Sequence, residues 1–247
     1  MRLTVLGAGP AYSDRPEARG AAYLVTAGST NVLLDLGQGS FSALFPHISP
    51  ADLDAVAISH LHPDHFIDLV PLRHFLRYEF APPRRVRVIG PGALVDRLDG
   101  LHAQPGFTAE SLDTETIGTG EHRVGELRLR ATRVVHTDDS YAIRVATKRG
   151  PGLVYTGDCG RADDVLPLLE RGDVLLSEVA TGPGPVPAGM QHLDGPAVGR
   201  LAAAAGAGRL LLTHILMGHD LDATIASVRR AYDGPVEFVW PGTILEL

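Results

Sequence analysis

Short apolar runs, broken by Gly, Ser and Asn, alternate along this chain with segments of helical periodicity. Residues 3–6, 22–26 and 32–36 read as an opening set of strands separated by turn residues. A strand over 55–59 leads into a histidine-rich loop and then a helix over 66–80. Residues 86–89, followed by Gly90-Pro91-Gly92, read as strand and turn, with a helix over 93–101. A second group of strands is expected at 127–135, 141–146 and 153–155. Helices over 162–170, 196–205 and 222–232 then alternate with strands over 174–177, 209–212 and 236–239. The pattern predicts an α/β protein without sequence repeats or long linkers. One irregular segment, residues 182–189, is too rich in Gly and Pro for a helix interior or a central strand, and reads either as a surface loop or as a loop facing a substrate.

Composition narrows this picture. With 247 residues, 45% of them hydrophobic and 21% charged, the chain can bury a large core without disulfides. Its single cysteine, Cys159, excludes an intramolecular disulfide and fits a reducing compartment. The first residues read as a strand and turn, without the charged start, apolar stretch and cleavage site of a signal peptide. No apolar run approaches the roughly 20 residues needed to span a bilayer. A soluble, cytoplasmic protein with no membrane partner is therefore expected. The formal charge of −7 disfavours extended nucleic-acid binding on a broad basic face. Two divalent cations would bring that charge to −7 + 4 = −3, with the positive charge concentrated in one place, so a single phosphate group stays compatible as substrate.

The candidate chemistry starts in the loop after the strand at 55–59. His60, His62, Asp64 and His65 crowd three imidazoles and a carboxylate into six positions, which makes a poor packing element. They can supply N and O ligands to more than one divalent metal. His60 and His62, two apart on extended chain, project to one side. Asp64 and His65, at the start of the following helix, point from another direction. One segment can thus serve two adjacent metals. His136, Asp158 and His214 each end an apolar strand, and strand ends converge on one edge of an α/β sheet. Gly157 permits the tight turn that would aim Asp158 outward.

The ordered set His60-Leu61-His62-Pro63-Asp64-His65, Val134-Val135-His136, Thr156-Gly157-Asp158 and Leu212-Thr213-His214 resembles the metallo-β-lactamase superfamily. Within it the chain is most similar to the branch of the tRNA 3′-processing ribonuclease Z and its small phosphodiesterase relatives. Leu6-Gly7-Ala8-Gly9, the segment from Leu33 to Ser40, Ser177-Glu178-Val179-Ala180 and His192-Leu193-Asp194 add to the likeness, as does the separation 214 − 192 = 22 between His192 and His214.

The resemblance implies a single domain over 1–247, built as a four-layer αββα sandwich of two mixed β-sheets flanked by helices. It also implies that His60, His62 and His136 hold one metal, that Asp64, His65 and His214 hold the other, and that Asp158 bridges them. Asp35 would hydrogen-bond a ligand imidazole, its plainer reading being an Asp in a strand-ending turn. Two divalent ions, zinc first and manganese or iron as alternatives, would bridge a water, lower its pKa towards about 7 and supply a hydroxide nucleophile. Asp64 would orient that nucleophile or take its proton. His192, held by Glu178, would protonate the leaving group.

The interval 158 − 136 = 22 leaves room for a hairpin and none for a tRNA-gripping arm. The branch's Pro/Lys/Arg/Asn-rich N-terminal motif is also missing. The expected activity is therefore a phosphodiesterase acting on small phosphodiesters, such as cyclic nucleotides or short RNA ends. Hydrolysis of a thioester, lactone or β-lactam is the alternative. A tRNA 3′-processing endoribonuclease or a non-catalytic metal-binding protein ranks behind both, and a homodimer is left open. Cys159 reads as a small packed residue rather than a thiolate ligand, and His74 as a helix residue near the core. His47, His102 and His122 read as surface, while His219 is a candidate for the site mouth. Arg73, Arg77, Arg84, Arg85 and Arg87 form the densest basic cluster, read first as a solvated face and second as a phosphate-steering patch.

Overall fold

The computed structural model describes residues 1–15, 17–118 and 120–247. Two seven-stranded sheets face each other. The first contains β1 (Arg2–Gly7), β2 (Ala22–Ala27), β3 (Thr30–Leu34), β4 (Ala55–Ala57), β5 (Val86–Gly90), β6 (Leu112–Thr116) and β14 (Ile244–Glu246), in the order β14-β1-β2-β3-β4-β5-β6. The second contains β7 (Glu121–Val124), β8 (Leu127–Arg133), β9 (Tyr141–Ala146), β10 (Leu153–Tyr155), β11 (Val174–Glu178), β12 (Arg209–Thr213) and β13 (Val236–Phe238), in the order β13-β12-β11-β10-β9-β8-β7. Both sheets are mixed. β3 to β6 run parallel, as do β10 to β13, while β14-β1-β2-β3 and β7-β8-β9-β10 are antiparallel.

Side-chain parity along the strands builds three apolar layers. Val32 and Leu34 of β3 face Leu176 of β11 and Leu211 of β12 in the core between the sheets. Leu33, one residue out of phase, packs outward with Val56 and Val88 against Leu69, Leu72, Leu76, Leu94 and Leu98. Those leucines line α2 (Leu69–Tyr78) and α3 (Leu94–His102). Leu175, Leu210 and Leu212 do the same on the far face, under α4 (Gly195–Ala205) and α5 (Leu221–Val228). Strands with apolar residues on both faces are what a sheet buried on both sides requires. The result is the four-layer αββα sandwich. Asp194 and Asp220 cap the two outer helices by accepting the N–H groups of Ala197 and Ala223.

Two expected helices differ from the observed ones. The helix expected over 66–80 divides into a single turn, α1 (Pro63–Phe66), and α2, whose first turn contains Pro71. Pro71 has no N–H to offer a continuous helix and is tolerated only near a start. The helix expected over 162–170 is instead two 3-10 turns, Ala162–Asp164 and Leu166–Leu168, the second with Pro167 near its start. β6, β7 and β14 were not anticipated. Between His136 and Asp158 the chain forms the antiparallel β9-β10 hairpin. Among the described residues, no helix is long and apolar enough to cross a membrane.

Candidate metal centre

Strand ends deliver the singled-out residues to one lip of the sandwich. Asp35 follows β3, His60 follows β4, Asp158 follows β10, Glu178 closes β11 and His214 follows β12. His62 precedes α1, which carries Asp64 and His65. His136 lies three residues beyond the end of β8 at Arg133. Two of these turns are strained: Asp35 has φ 57° and His214 φ 53°, left-handed values that cost roughly 1–3 kcal/mol for a residue with a Cβ. Gly157 has the same sign of φ at 57°, and a Cβ there would press on Ser59 and Tyr141 at 3.0 Å. The ligand loop is seated still more closely on Gly37, where an added Cβ would sit 1.8 Å from the carbonyl oxygen of Asp64.

Two clusters result, and they share Asp158. His60, His62, His136 and Asp158 bring one N or O atom each within 4.8 Å of one another, and so do Asp64, His65, Asp158 and His214. In the first, His136 Nε2 lies 3.1 Å from His62 Nδ1 and 3.5 Å from Asp158 Oδ2. In the second, the Nε2 atoms of His65 and His214 are 3.3 Å apart, and Asp158 Oδ1 is 3.3 Å and 3.4 Å from them. Asp64 Oδ2 completes that group at 3.2 Å from His214 Nε2.

These contacts suit a divalent cation better than hydrogen bonding. His60 Nε2 and Asp158 Oδ1 are buried without a hydrogen-bond partner among the described residues, and an unsatisfied buried polar group costs about 1–3 kcal/mol. Nitrogen lone pairs and carboxylate oxygens converging from several elements form a mixed N/O donor set for divalent metal. The residues present therefore fit such a site.

Burial and neighbouring charge separate the protonation of these groups. Burial, then the proximity of His65, pushes the His60 imidazole well below its ordinary pKa. Burial and His136 do the same, less strongly, at His62. Burial would also lower His65 and His214, but the charge of Asp158, together with hydrogen bonds to Asp35 at His65 and to Asp64 at His214, outweighs it and both are raised. Burial opposes ionisation of Asp158 and Asp64, yet the surrounding imidazoles hold both well below the carboxylate range. Protons and divalent ions thus compete for the same nitrogens.

The nitrogens facing away from the centre are mostly held. His65 Nδ1 bonds Asp35 Oδ2 at 2.7 Å, and His136 Nδ1 donates to the Gln191 carbonyl at 2.8 Å. Asp35 also accepts from Ser59 N, Ser59 Oγ and Tyr155 Oη at 2.7 Å each, so the buried carboxylate orients His65 rather than merely ending a strand. Ser59 Oγ meets His60 Nδ1 at 3.1 Å. Next to both clusters, His192 Nδ1 lies 3.0 Å and 3.1 Å from the two oxygens of Glu178 and 3.9 Å from Asp158 Oδ2. Burial would lower His192, but the Glu178 hydrogen bond and charge push it up to about 9.

Sequence reasoning missed Ser59, Tyr155 and Gln191. Only Ser59 carried a local signal, as the polar residue directly before His60. The segment 182–189 precedes Gln191 and His192 in the chain, and its glycines Gly182 and Gly184 pack against His219 and Asp194. His219 packs against Gly182, where a Cβ would meet its ring at 2.6 Å, and belongs to neither cluster. Cys159 is buried, with its thiol on the Arg161 carbonyl, while its N–H donates to Glu178. His74 bonds the Val70 carbonyl within α2. His102 stacks on Phe107, and His122 lies half-buried in β7 on Glu115.

The basic cluster divides: Arg84 and Arg85 are exposed, as on a solvated face, whereas Arg73 is not part of such a face. Arg73 is buried, donating to the Phe107 carbonyl and to Glu110, which Arg77 also meets. Arg85 pairs with Asp113 at 2.5 Å and Arg87 with Glu115 at 2.6 Å. Four of these guanidinium groups thus brace α2 and the start of β5 against acidic partners at β6 and the turn before it; Arg84 instead reaches the Ala51 carbonyl and lies over Phe80.

Residues 30–215 match the family described as Beta-lactamase superfamily domain. The chain belongs to that superfamily. It is 33% identical to the uncharacterized protein ML1173 of Mycobacterium leprae, over 100% of this chain and 89% of that protein. It is 30% identical to the probable metallo-hydrolase YhfI of Bacillus subtilis, over 98% of this chain and 100% of that protein. The crystal structure of YhfI, described as a metallo-beta-lactamase fold protein, superposes with a TM-score of 0.88 at 25% identity, covering 99% of both chains. Ribonuclease Z of Myxococcus xanthus is 26% identical over 100% of this chain and 98% of its own length. The fold expected from the motifs is the fold observed, and the superfamily β-lactamase domain carries the centre.

Proposed function

We propose that this protein is a dinuclear metal-dependent phosphodiesterase acting on small phosphodiesters, such as cyclic nucleotides or short RNA ends. The observation that carries this reading is the pairing of His192 with Glu178 directly beside two ligand clusters that share Asp158. Phosphodiester cleavage expels an alkoxide, and an alkoxide needs a proton that metals do not donate. The likeness to a ribonuclease Z and to a probable metallo-hydrolase supports the same class.

In this reading His60, His62 and His136 would hold one ion and Asp64, His65 and His214 the other, with Asp158, common to both clusters, available to each. Zinc suits the histidine-rich donor set, and manganese or iron suits its mixed N/O character. Two such ions would lower the pKa of a shared water and neutralise charge on the phosphate oxygens. Asp64, kept anionic by His214 and His65, would orient the attacking water rather than take its proton. His192 presents Nε2 to the leaving oxygen, since Nδ1 is committed to Glu178. Its proton passes from Nε2 to the departing alkoxide, while Glu178 stabilises the cation beforehand.

The surroundings favour a small substrate. Val135, Met190 and Met217, exposed on the segments that carry His136, His192 and His214, offer apolar contact where a polyanion would need cations. Arg73, Arg77, Arg85 and Arg87 are already paired with carboxylates. The β9-β10 hairpin stands where an RNA-gripping arm would be inserted. Metal-loaded protein assayed side by side on bis-p-nitrophenyl phosphate, 2′,3′- and 3′,5′-cyclic nucleotides, and thioester, lactone and β-lactam panels tests the reading. Turnover is expected on the phosphodiesters. Turnover confined to the acyl substrates would overturn it.

A further inference from the structure

Asp35 and His214, the two strained left-handed residues beside the centre, are each tied to a tyrosine hydroxyl that crosses from the opposite sheet. Tyr155 on β10, in the second sheet, donates to Asp35 Oδ2 of the first at 2.7 Å. Tyr23 on β2, in the first sheet, meets Thr213 Oγ1 at the end of β12 at 2.7 Å. Thr213 Oγ1 in turn donates to the Ala8 carbonyl at 3.4 Å, so the Tyr23 hydroxyl is the donor to Thr213. The same Ala8 carbonyl accepts the backbone N–H of His214 at 3.0 Å. The two rings pack on each other with centroids 5.0 Å apart, in the core directly beneath the metal centre.

Both bond chains end on one cluster. Through Asp35, Tyr155 acts on His65, whose Nδ1 lies 2.7 Å from that carboxylate. Through Thr213 and Ala8, Tyr23 acts on the turn that aims His214. The Nε2 atoms of these two histidines are the pair 3.3 Å apart. Neither chain reaches His62 or His136; His136 is braced instead by the Gln191 carbonyl. Ser59, which shares Asp35 Oδ2 with Tyr155, extends that chain to His60 Nδ1 at 3.1 Å, so Tyr155 reaches the other cluster only one residue further on and Tyr23 does not reach it.

We propose that Tyr155 and Tyr23 are positioning residues for the cluster of Asp64, His65, Asp158 and His214. They fix His65 and His214 side by side, while of the His60, His62 and His136 cluster only His60 is reached, more remotely, through Ser59. The proposal rests on the two-ion reading given above. It follows that the two ions differ in their dependence on the sandwich core. One is held directly by hydroxyls buried between the sheets, and the other depends on them far less.

Titration of metal-free protein with zinc and with cobalt(II), against a competing chelator, tests this. Tyr155→Phe and Tyr23→Phe remove only a hydroxyl each, and Tyr23→Phe decides the matter should Tyr155→Phe not fold. The wild type should take up two equivalents. Each variant should keep one equivalent at wild-type affinity and bind the other about tenfold or more weakly, the scale of loss for groups that orient metal ligands. In a His136→Ala background, Tyr155→Phe should weaken the remaining ion. In a His65→Ala background it should change nothing, because the ring it aims is gone. Wild-type affinity for both equivalents in both variants, or equal weakening of both, overturns the proposal while leaving the two-ion reading intact. Uptake of a single equivalent by the wild type overturns the two-ion reading and the proposal with it.

Discussion

Glu178 Oε1 lies 3.0 Å from His192 Nδ1 while accepting the backbone N–H of Cys159 at 2.7 Å, and its other oxygen accepts Ala180 N–H at 3.1 Å. The carboxylate is thereby immobilised before it touches the imidazole, and the imidazole has one free edge. His192→Ala should therefore keep its metal and lose about 10²–10⁴ in kcat on alkyl phosphodiesters. The loss should shrink sharply with p-nitrophenolate as leaving group, which departs without a proton. Metal analysis and a leaving-group series measure both. An equal loss across the series would remove His192 from the role of acid.

Glu178→Gln keeps the shape of this pair and removes its charge. The His192 proton is then held less tightly, so the basic limb of the kcat profile should move to lower pH from its wild-type position. A pH-rate profile of both proteins on a cyclic nucleotide reads this directly, and an unmoved limb would contradict it.

Stripping the ions should destabilise the fold, because anything that binds only the folded state adds about 2.7 kcal/mol at a hundredfold excess over Kd. Chelation should lower Tm, and zinc should restore it. Asp158→Ala, which removes the residue common to both clusters, should abolish most of that response in differential scanning fluorimetry.

Arg73 is buried against the ring of Phe107 at 4.0 Å and donates to its carbonyl. Arg73→Ala leaves that carbonyl unsatisfied and should cost about 1–3 kcal/mol in urea unfolding. Its KM for a phosphodiester, and the salt dependence of kcat/KM, should match wild type. A KM rise that grows at low salt would restore the phosphate-steering role.

Asp173 is buried beneath Arg144, which reaches it at 2.7 Å. Burial alone would raise its pKa, but Arg144 and the N–H groups of Glu170 and Gly152 lower it. A carboxylate with a depressed folded pKa contributes stability above its unfolded value, about 3.9, and loses it as pH falls through the lower folded value. The stability gap between wild type and Asp173→Asn should hence be constant near neutrality and close below about pH 4.

How much of this was legible in the sequence depended on locality. His60, His62, Asp64 and His65 are contiguous, and their order along the chain is already their order in space. Asp158 and His214 were legible because each ends an apolar strand, and strand ends share a lip. β6 was invisible because its burial pattern shows one buried residue followed by four exposed ones; pairing with β5 makes it a strand, not its own polarity. The partners of the arginines were invisible for the same reason, since Glu110, Asp113 and Glu115 reach them only once β5 and β6 are side by side. Pro167 was a local signal against a helix over 162–170 and was outweighed by the apolar spacing around it. Tyr155 and Asp35 are 120 positions apart, a relationship that only the packing of two sheets creates.

The Arg85–Asp113 and Arg87–Glu115 pairs have a consequence beyond quieting a basic cluster. β6 ends the first sheet, so among the described residues one side of its backbone has no neighbouring strand. A bare, flat edge is a template on which another chain can add itself, and charge along it is what deters that addition. The two acids project from this edge strand, each anchored to an arginine one strand inward. Acid or high salt, by neutralising or screening them, would turn the edge from a boundary into a site of self-association.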